Sequence, residues 1–202
     1  MNLSQPGRVR RARVSGTVSG LAFGFGSVWA TTIGLRRNLV VKLSPIALSV
    51  RARIETAGPD AVVAALGSVW AAGSGSLARV SPRTDRMIKL GPIEGGATDL
   101  ATSSQRLWVL GGRSAFAIDR AGHVRRRLTL PFGAARIAIS NERLWAIDNC
   151  GCAIGQLTEM DLRTGHRLAT WAVGATPVAV VAEGEQVWVA NFGNSTLLRI
   201  RP

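Results

Sequence analysis

Few side chains in this sequence could do acid–base or metal chemistry. His123 and His166 are the only histidines, and each follows a glycine in a short AGH or TGH run. A general base needs a positioned partner in a sheltered place. An exposed turn supplies neither, so both histidines are expected to be solvated turn residues. Cys150 and Cys152 form a C-x-C within AIDNCGCAIGQ, with Asp148 close by. Two thiolates and one carboxylate fall short of the four ligands of a structural metal site, and there is no second cysteine pair. Reduced loop thiols are the expectation in a cytoplasmic protein, with a strained C-x-C disulfide as the alternative. No Ser-His-Asp set, phosphate-binding loop or paired carboxylate stands out, and the 12 acidic residues are scattered. No cofactor is implied.

The charge is the second chemical feature. The net charge is +13, and lysine occurs only at Lys42 and Lys89, the other 23 of the 25 basic residues being arginine. Such a balance could attract nucleic acid or an anionic membrane. An arginine bias beside abundant alanine and glycine is also what a GC-rich genome produces without any partner. Charge alone supports only non-specific attraction, so nucleic acid is not the expected partner. The arginine clusters at 8–13, 51–53 and 125–127 are read as a solvated rim. The most apolar stretch, 178–182, is far too short to span a membrane.

The elements that position these side chains follow from five tryptophans. Trp29, Trp70, Trp108, Trp145 and Trp188 are 41, 38, 37 and 43 residues apart, inside GSVWA, GSVWA, QRLWV, ERLWA and EQVWV. A period near 40 with an aromatic-centred strand marks a β-propeller, one four-stranded blade per repeat. An aromatic at one place in every blade packs between neighbouring blades, so all five, Trp188 included, are expected to be buried.

Each repeat reads as an inner strand (21–25, 61–66, 99–103, 136–140, 178–182), the Trp strand, a third strand (40–45, 77–82, 115–120, 157–162, 197–202) and a basic outer strand (49–58, 86–91, 123–130, 166–174). The outer strand of the last blade is missing at the C-terminal end. GRVRRARVSG (7–16) has its pattern. The expectation is therefore a single all-β domain: a five-bladed β-propeller of four-stranded antiparallel blades, closed by pairing of the N-terminal strand with the C-terminal blade. The blades are expected at about 17–55, 60–91, 97–130, 135–174, and 177–202 plus 8–16. A closed ring without free edges is expected to be a monomer.

The segments 164–191 (TGHRLATWAVGATPVAVVAEGEQVWVAN) and 187–202 (VWVANFGNSTLLRIRP) resemble the repeat of YVTN-type bacterial propellers and are similar to repeats of virginiamycin B lyase-like proteins. The likeness runs over about the whole chain. It implies a fold rather than an activity. Those families more often have seven blades, so five is a departure. The lyase-like enzymes use a metal, a histidine and an acidic residue, and their repeats carry an aromatic and Glu after the Trp. Here those positions read AT, AA, VL, AI and VA. No site residue of a metal-dependent lyase or lactonase-type hydrolase transfers to this chain, so that activity stands only as the alternative. The basic N-terminus is followed by no apolar stretch, so no signal peptide is visible. A cytoplasmic location is expected, or an exported one if a leader has been removed, as in many propellers of this kind.

Loops between second and third strands carry variation that packing does not constrain. The long ones are TTIGLRRN (31–38) and IDNCGCAIGQ (147–156), flanking ANFGNS (190–195) once the ring closes. Thr32, Arg36, Arg37, Asp148, Asn149, Asn191, Phe192 and Asn194 are therefore the candidate binding residues. Amides, an aromatic and two arginines suit a small polar or anionic ligand, or a peptide. The expected function is a non-enzymatic binding or protein-interaction scaffold.

Overall fold

The computed structural model describes residues 11–148, 151 and 153–202. It contains five antiparallel sheets met in chain order. Blade 1 is β1 (Thr17–Gly24), β2 (Ser27–Ile33), β3 (Asn38–Leu43) and β4 (Val50–Thr56). Blade 2 is β5 (Ala61–Ala65), β6 (Ser68–Gly73), β7 (Ser76–Val80) and β8 (Met87–Pro92). Blade 3 is β9 (Asp99–Thr102), β10 (Leu107–Gly111), β11 (Ser114–Ile118) and β12 (Val124–Thr129). Blade 4 is β13 (Ala134–Ser140), β14 (Arg143–Asp148), β15 (Gly155–Asp161) and β16 (Arg167–Gly174). Blade 5 has three strands, β17 (Pro177–Glu183), β18 (Gln186–Asn191) and β19 (Thr196–Ile200). No helix is long and apolar enough to cross a membrane among the described residues.

Two-residue turns join inner strand to Trp strand. Phe25–Gly26, Leu66–Gly67 and Asn141–Glu142 all have positive φ at both positions. That is the twist which tight antiparallel hairpins require. The Trp strands of blades 1 to 3 are buried on both faces, whereas outer strands such as β4 and β12 keep arginines in water.

The core is a series of joints. Each of the first four repeat tryptophans packs on the next blade: Trp29 on Val62 and Ala71, Trp70 on Leu100 and Val109, Trp108 on Ile137 and Ala146, Trp145 on Val187 and Val189. The indole N–H groups of Trp29 and Trp70 donate to the Gly24 and Ala65 carbonyls at 3.1 and 3.0 Å, which satisfies the ring's polar edge as it is buried. Polar hooks cross the same joints. Lys42, stacked on Trp29, donates to the Pro82 carbonyl and Asp85, each at 2.8 Å, and Arg79, stacked on Trp70, donates to the Arg120 carbonyl.

The last joint differs from expectation. β5 packs on β1, β9 on β5, β13 on β9 and β17 on β13, but no comparable packing joins β17 to β1. Residues 11–16 form no strand. Val14 lies instead against Ala30, Leu39, Val41 and Leu43 of blade 1. β19 has no outer partner among the described residues. Of the expected closing strand, residues 8–10 lie outside the described residues. The burial expected for Trp188 is also corrected: it is 37% exposed, against 0–3% for the other four repeat tryptophans, because among the described residues no further blade packs on it.

Candidate functional site

Three of the eight candidate residues share one place in the repeat, three residues after the Trp: Thr32, Asp148 and Asn191. Gly73 and Gly111 hold that place in blades 2 and 3. It is the end of the Trp strand, and the three polar side chains there are buried. Asp148 accepts the Gln156 N–H at 2.8 Å and so closes its own loop. Asn191 donates to the Val173 carbonyl and to Thr196 Oγ1, which in turn donates to Asn194 Oδ1 at 2.9 Å. These groups tie the loop to the strand behind it. Thr32 Oγ1 is buried without a partner. Phe192 is 76% exposed. Asn149, Cys150 and Cys152 lie outside the described residues.

Arg36 and Arg37 are placed differently. With Leu35 they form the exposed tip of the β2–β3 loop, held at its base where the Gly34 N–H donates to Asn38 Oδ1 at 3.2 Å. They line a cavity of about 600 Å³ together with Ser15, Leu39, Arg53 and Glu55. β4 supplies Arg53 and Glu55 on one face, through the period-two alternation of VRARIET. Arg37 pairs with Glu55 at 2.6 Å. That leaves Arg36 and Arg53 against no further carboxylate among the lining residues. The cavity takes no residue from blades 4 or 5, so the candidate residues of the β14–β15 and β18–β19 loops do not join it. Arg53 and Glu55 were legible as a strand face in the sequence, but not as partners of the loop. Their pairing with Leu39 and Val41 depends on register.

A second cavity, of about 450 Å³, lies at the heads of four inner strands, between Ser19, Asp60, Thr98 and Arg136. The joint beside it is closed by Asp99, whose Oδ2 accepts the Ile137 N–H of the next blade at 2.8 Å. Burial raises the Asp99 pKa above the ordinary carboxylate value, opposed by the Ile137 and Leu100 N–H groups and by Arg136. A raised carboxylate pKa means that the fold holds a proton more readily than the unfolded chain. The burial cost is present above the folded pKa and is relieved as pH falls toward the unfolded value. Asp99→Asn keeps an acceptor for Ile137 without the charge. Its melting temperature is expected to equal or exceed that of the wild type at pH 7, with the advantage shrinking toward pH 4. An advantage that grows on acidification would contradict this origin.

The histidines sit where expected, in turns between third and fourth strands. His123 Nδ1 is 3.6 Å from Asp119 and is largely exposed, and the His166 N–H donates to Thr164 Oγ1. Among the described residues no three His, Cys, Asp or Glu side chains come together as a metal-ligand set. Much of the rim arginine is engaged internally. Arg125 pairs with Asp119 at 2.7 Å, Arg127 with Glu94 at 2.8 Å, and Arg126 donates to the Leu162 carbonyl at 2.6 Å.

No protein-family profile matches the chain, and no curated protein matches it. Solved structures do. The chain is similar to one from a nidogen/laminin complex, at 13% identity and a TM-score of 0.71 over 93% of this chain and 76% of that one. It is similar to the WD40 domain of Pan2 from Neurospora crassa, at 14% identity and a TM-score of 0.68, covering 91% and 65% of the two chains. It is also similar to BamB from Moraxella catarrhalis, at 12% identity and a TM-score of 0.67, covering 92% and 62%. The chain thus spans less than two thirds of the BamB and Pan2 chains. At such identities the likeness concerns fold alone. With five sheets of one repeat packed in sequence, the chain has the β-propeller fold.

Proposed function

We propose that this propeller is a non-enzymatic interaction scaffold that binds an acidic segment of a partner protein at the β2–β3 loop of blade 1. The observation that carries this is the makeup of the larger cavity. Three guanidinium groups, Arg36, Arg37 and Arg53, meet a single carboxylate, Glu55, beside the apolar side chains of Leu35 and Leu39. Arginine presents a planar fork of donors that matches a carboxylate in two bonds. An exposed leucine next to it suits a peptide with an apolar residue beside its acid. One of the similar structures is a complex between two proteins, nidogen and laminin. No observation favours the metal-dependent lyase alternative.

The test is a fluorescence-anisotropy titration with a labelled peptide of alternating Asp and Leu. Hydrogen bonds to charged groups contribute ~1.5–3 kcal/mol when well formed, and solvent weakens them here. Arg36→Ala and Arg53→Ala are therefore each expected to weaken binding by about tenfold at low salt. Replacing Asp by Asn in the peptide should have a similar effect. Affinity that ignores both arginines, or an oligonucleotide that displaces the peptide at equal concentration, would overturn the reading.

A further inference from the structure

We infer that the two ends of this blade series are the two halves of one joint, and that a second copy of the chain completes it, the β18 face of one molecule docking on β1 of the next. All four internal joints are built alike. The Trp strand of one blade packs on the inner strand of the following blade, β2 on β5, β6 on β9, β10 on β13 and β14 on β17. Two strands are left without their match. Among the described residues β18 is a Trp strand with no following inner strand packed on it, and β1 is an inner strand with no preceding Trp strand packed on it.

The side chains left open are those the internal joints bury. Val62 and Ala64 of β5 lie opposite Ala71 and Val69 and receive Trp29. Leu21 and Phe23 hold the same register on β1, opposite Ala30 and Val28. They are 68% and 70% exposed. Val14 covers the Leu39–Val41–Leu43 part of this face and leaves the inner strand free. At the other end, Val181 lies opposite Trp188 and is 61% exposed. A soluble protein rarely presents such apolar patches without a partner.

The polar hook is also half made. Lys42 and Arg79 each stack on the Trp of their own blade and donate to a carbonyl just beyond the third strand of the next, at Pro82 and Arg120. Arg199 stacks on Trp188 in the same way, 5.6 Å from its ring centre, and has no carbonyl partner among the described residues. On blade 1 the matching position after β3 is Pro45, within the same Ser-Pro pair that holds Pro82. The two ends thus carry complementary rather than identical surfaces. The contact is head-to-tail, a heterologous interface. Among the described residues no packing like that of the internal joints brings β17 or β18 to β1, and a second copy of the chain supplies both missing halves at once. This interface is separate from the arginine cavity, and either reading can fail alone.

The test uses two surface variants of the full chain, Val181→Lys and Phe23→Lys, with light scattering coupled to size exclusion at rising concentration. Both side chains are mostly exposed, so both variants are expected to melt as the wild type does. Wild type should run heavier than one 21.3 kDa chain as concentration rises. Each variant alone should be unable to pass beyond a single chain. Their mixture should give a one-to-one pair, about twice the mass of one chain, because Phe23→Lys keeps the β18 half and Val181→Lys keeps the β1 half. A wild type that stays a single chain at all concentrations would overturn the inference, since the ends would then be capped or closed within one molecule. So would variants that still associate alone, or a mixture that stays at the mass of one chain.

Discussion

Trp70→Ala is expected to lower the free energy of unfolding by about 3–5 kcal/mol, as other buried large-to-small changes do, while Trp188→Ala costs under about 1 kcal/mol at a concentration where the chain is single. The two residues hold the same place in the repeat, so sequence alone predicts equal losses. Trp70 is fully buried, packs on Leu100 and Val109 of the next blade, and donates its indole N–H to the Ala65 carbonyl. Its removal leaves a cavity between two sheets that other strands hold apart, and leaves the Ala65 carbonyl short of a donor. Trp188 is 37% exposed and meets no following blade, so its truncation opens no cavity. Chemical denaturation of both variants decides the matter. Equal large losses would mean that Trp188 is buried against something in the single chain.

Gly73→Ala is expected to destabilise by about 2–3 kcal/mol, the upper part of the usual range for overpacking a tight site. Gly73 ends the Trp strand of blade 2 at the place held by Thr32, Asp148 and Asn191 elsewhere. A Cβ added there would stand 2.1 Å from the Gly58 carbonyl oxygen and 2.6 Å from the Asp60 nitrogen. Both obstacles are backbone, just ahead of β5, where the Asp60 N–H donates to the Ala72 carbonyl at 2.8 Å, so neither can turn aside as a flexible side chain could. Gly111, in the same place in blade 3, meets the Glu94 carbonyl oxygen at 2.4 Å and should behave alike. Gly26→Ala is the control. No atom comes within 4 Å of its added Cβ, and only its positive φ is penalised, at about 1 kcal/mol. Thermal melts in which Gly73→Ala and Gly26→Ala lose the same amount would refute the packing argument.

Local rules carried much of this protein. The spacing of the five tryptophans, the two-residue turns and the basic outer strands set which segments become strands and which strand follows which, because hairpin pairing is decided by neighbours in the chain. The exposed turn positions of His123 and His166 were legible for the same reason. The tertiary structure decided what depends on contacts between blades. A Trp is buried only if a following blade exists to bury it, and the motif around Trp188 is the same whether or not one does. Thr32, Asp148 and Asn191 look in the sequence like variable loop residues. Packing makes them the buried ends of strands, and two of them secure the loop beside them. Arg53 and Glu55 reach Arg36 and Arg37 only through the register of β4 on β3. How the last blade meets the first was beyond the sequence as well, because closure depends on how far each blade turns from the last. That angle is set by the sizes of side chains meeting across sheets, not by any pattern along one strand.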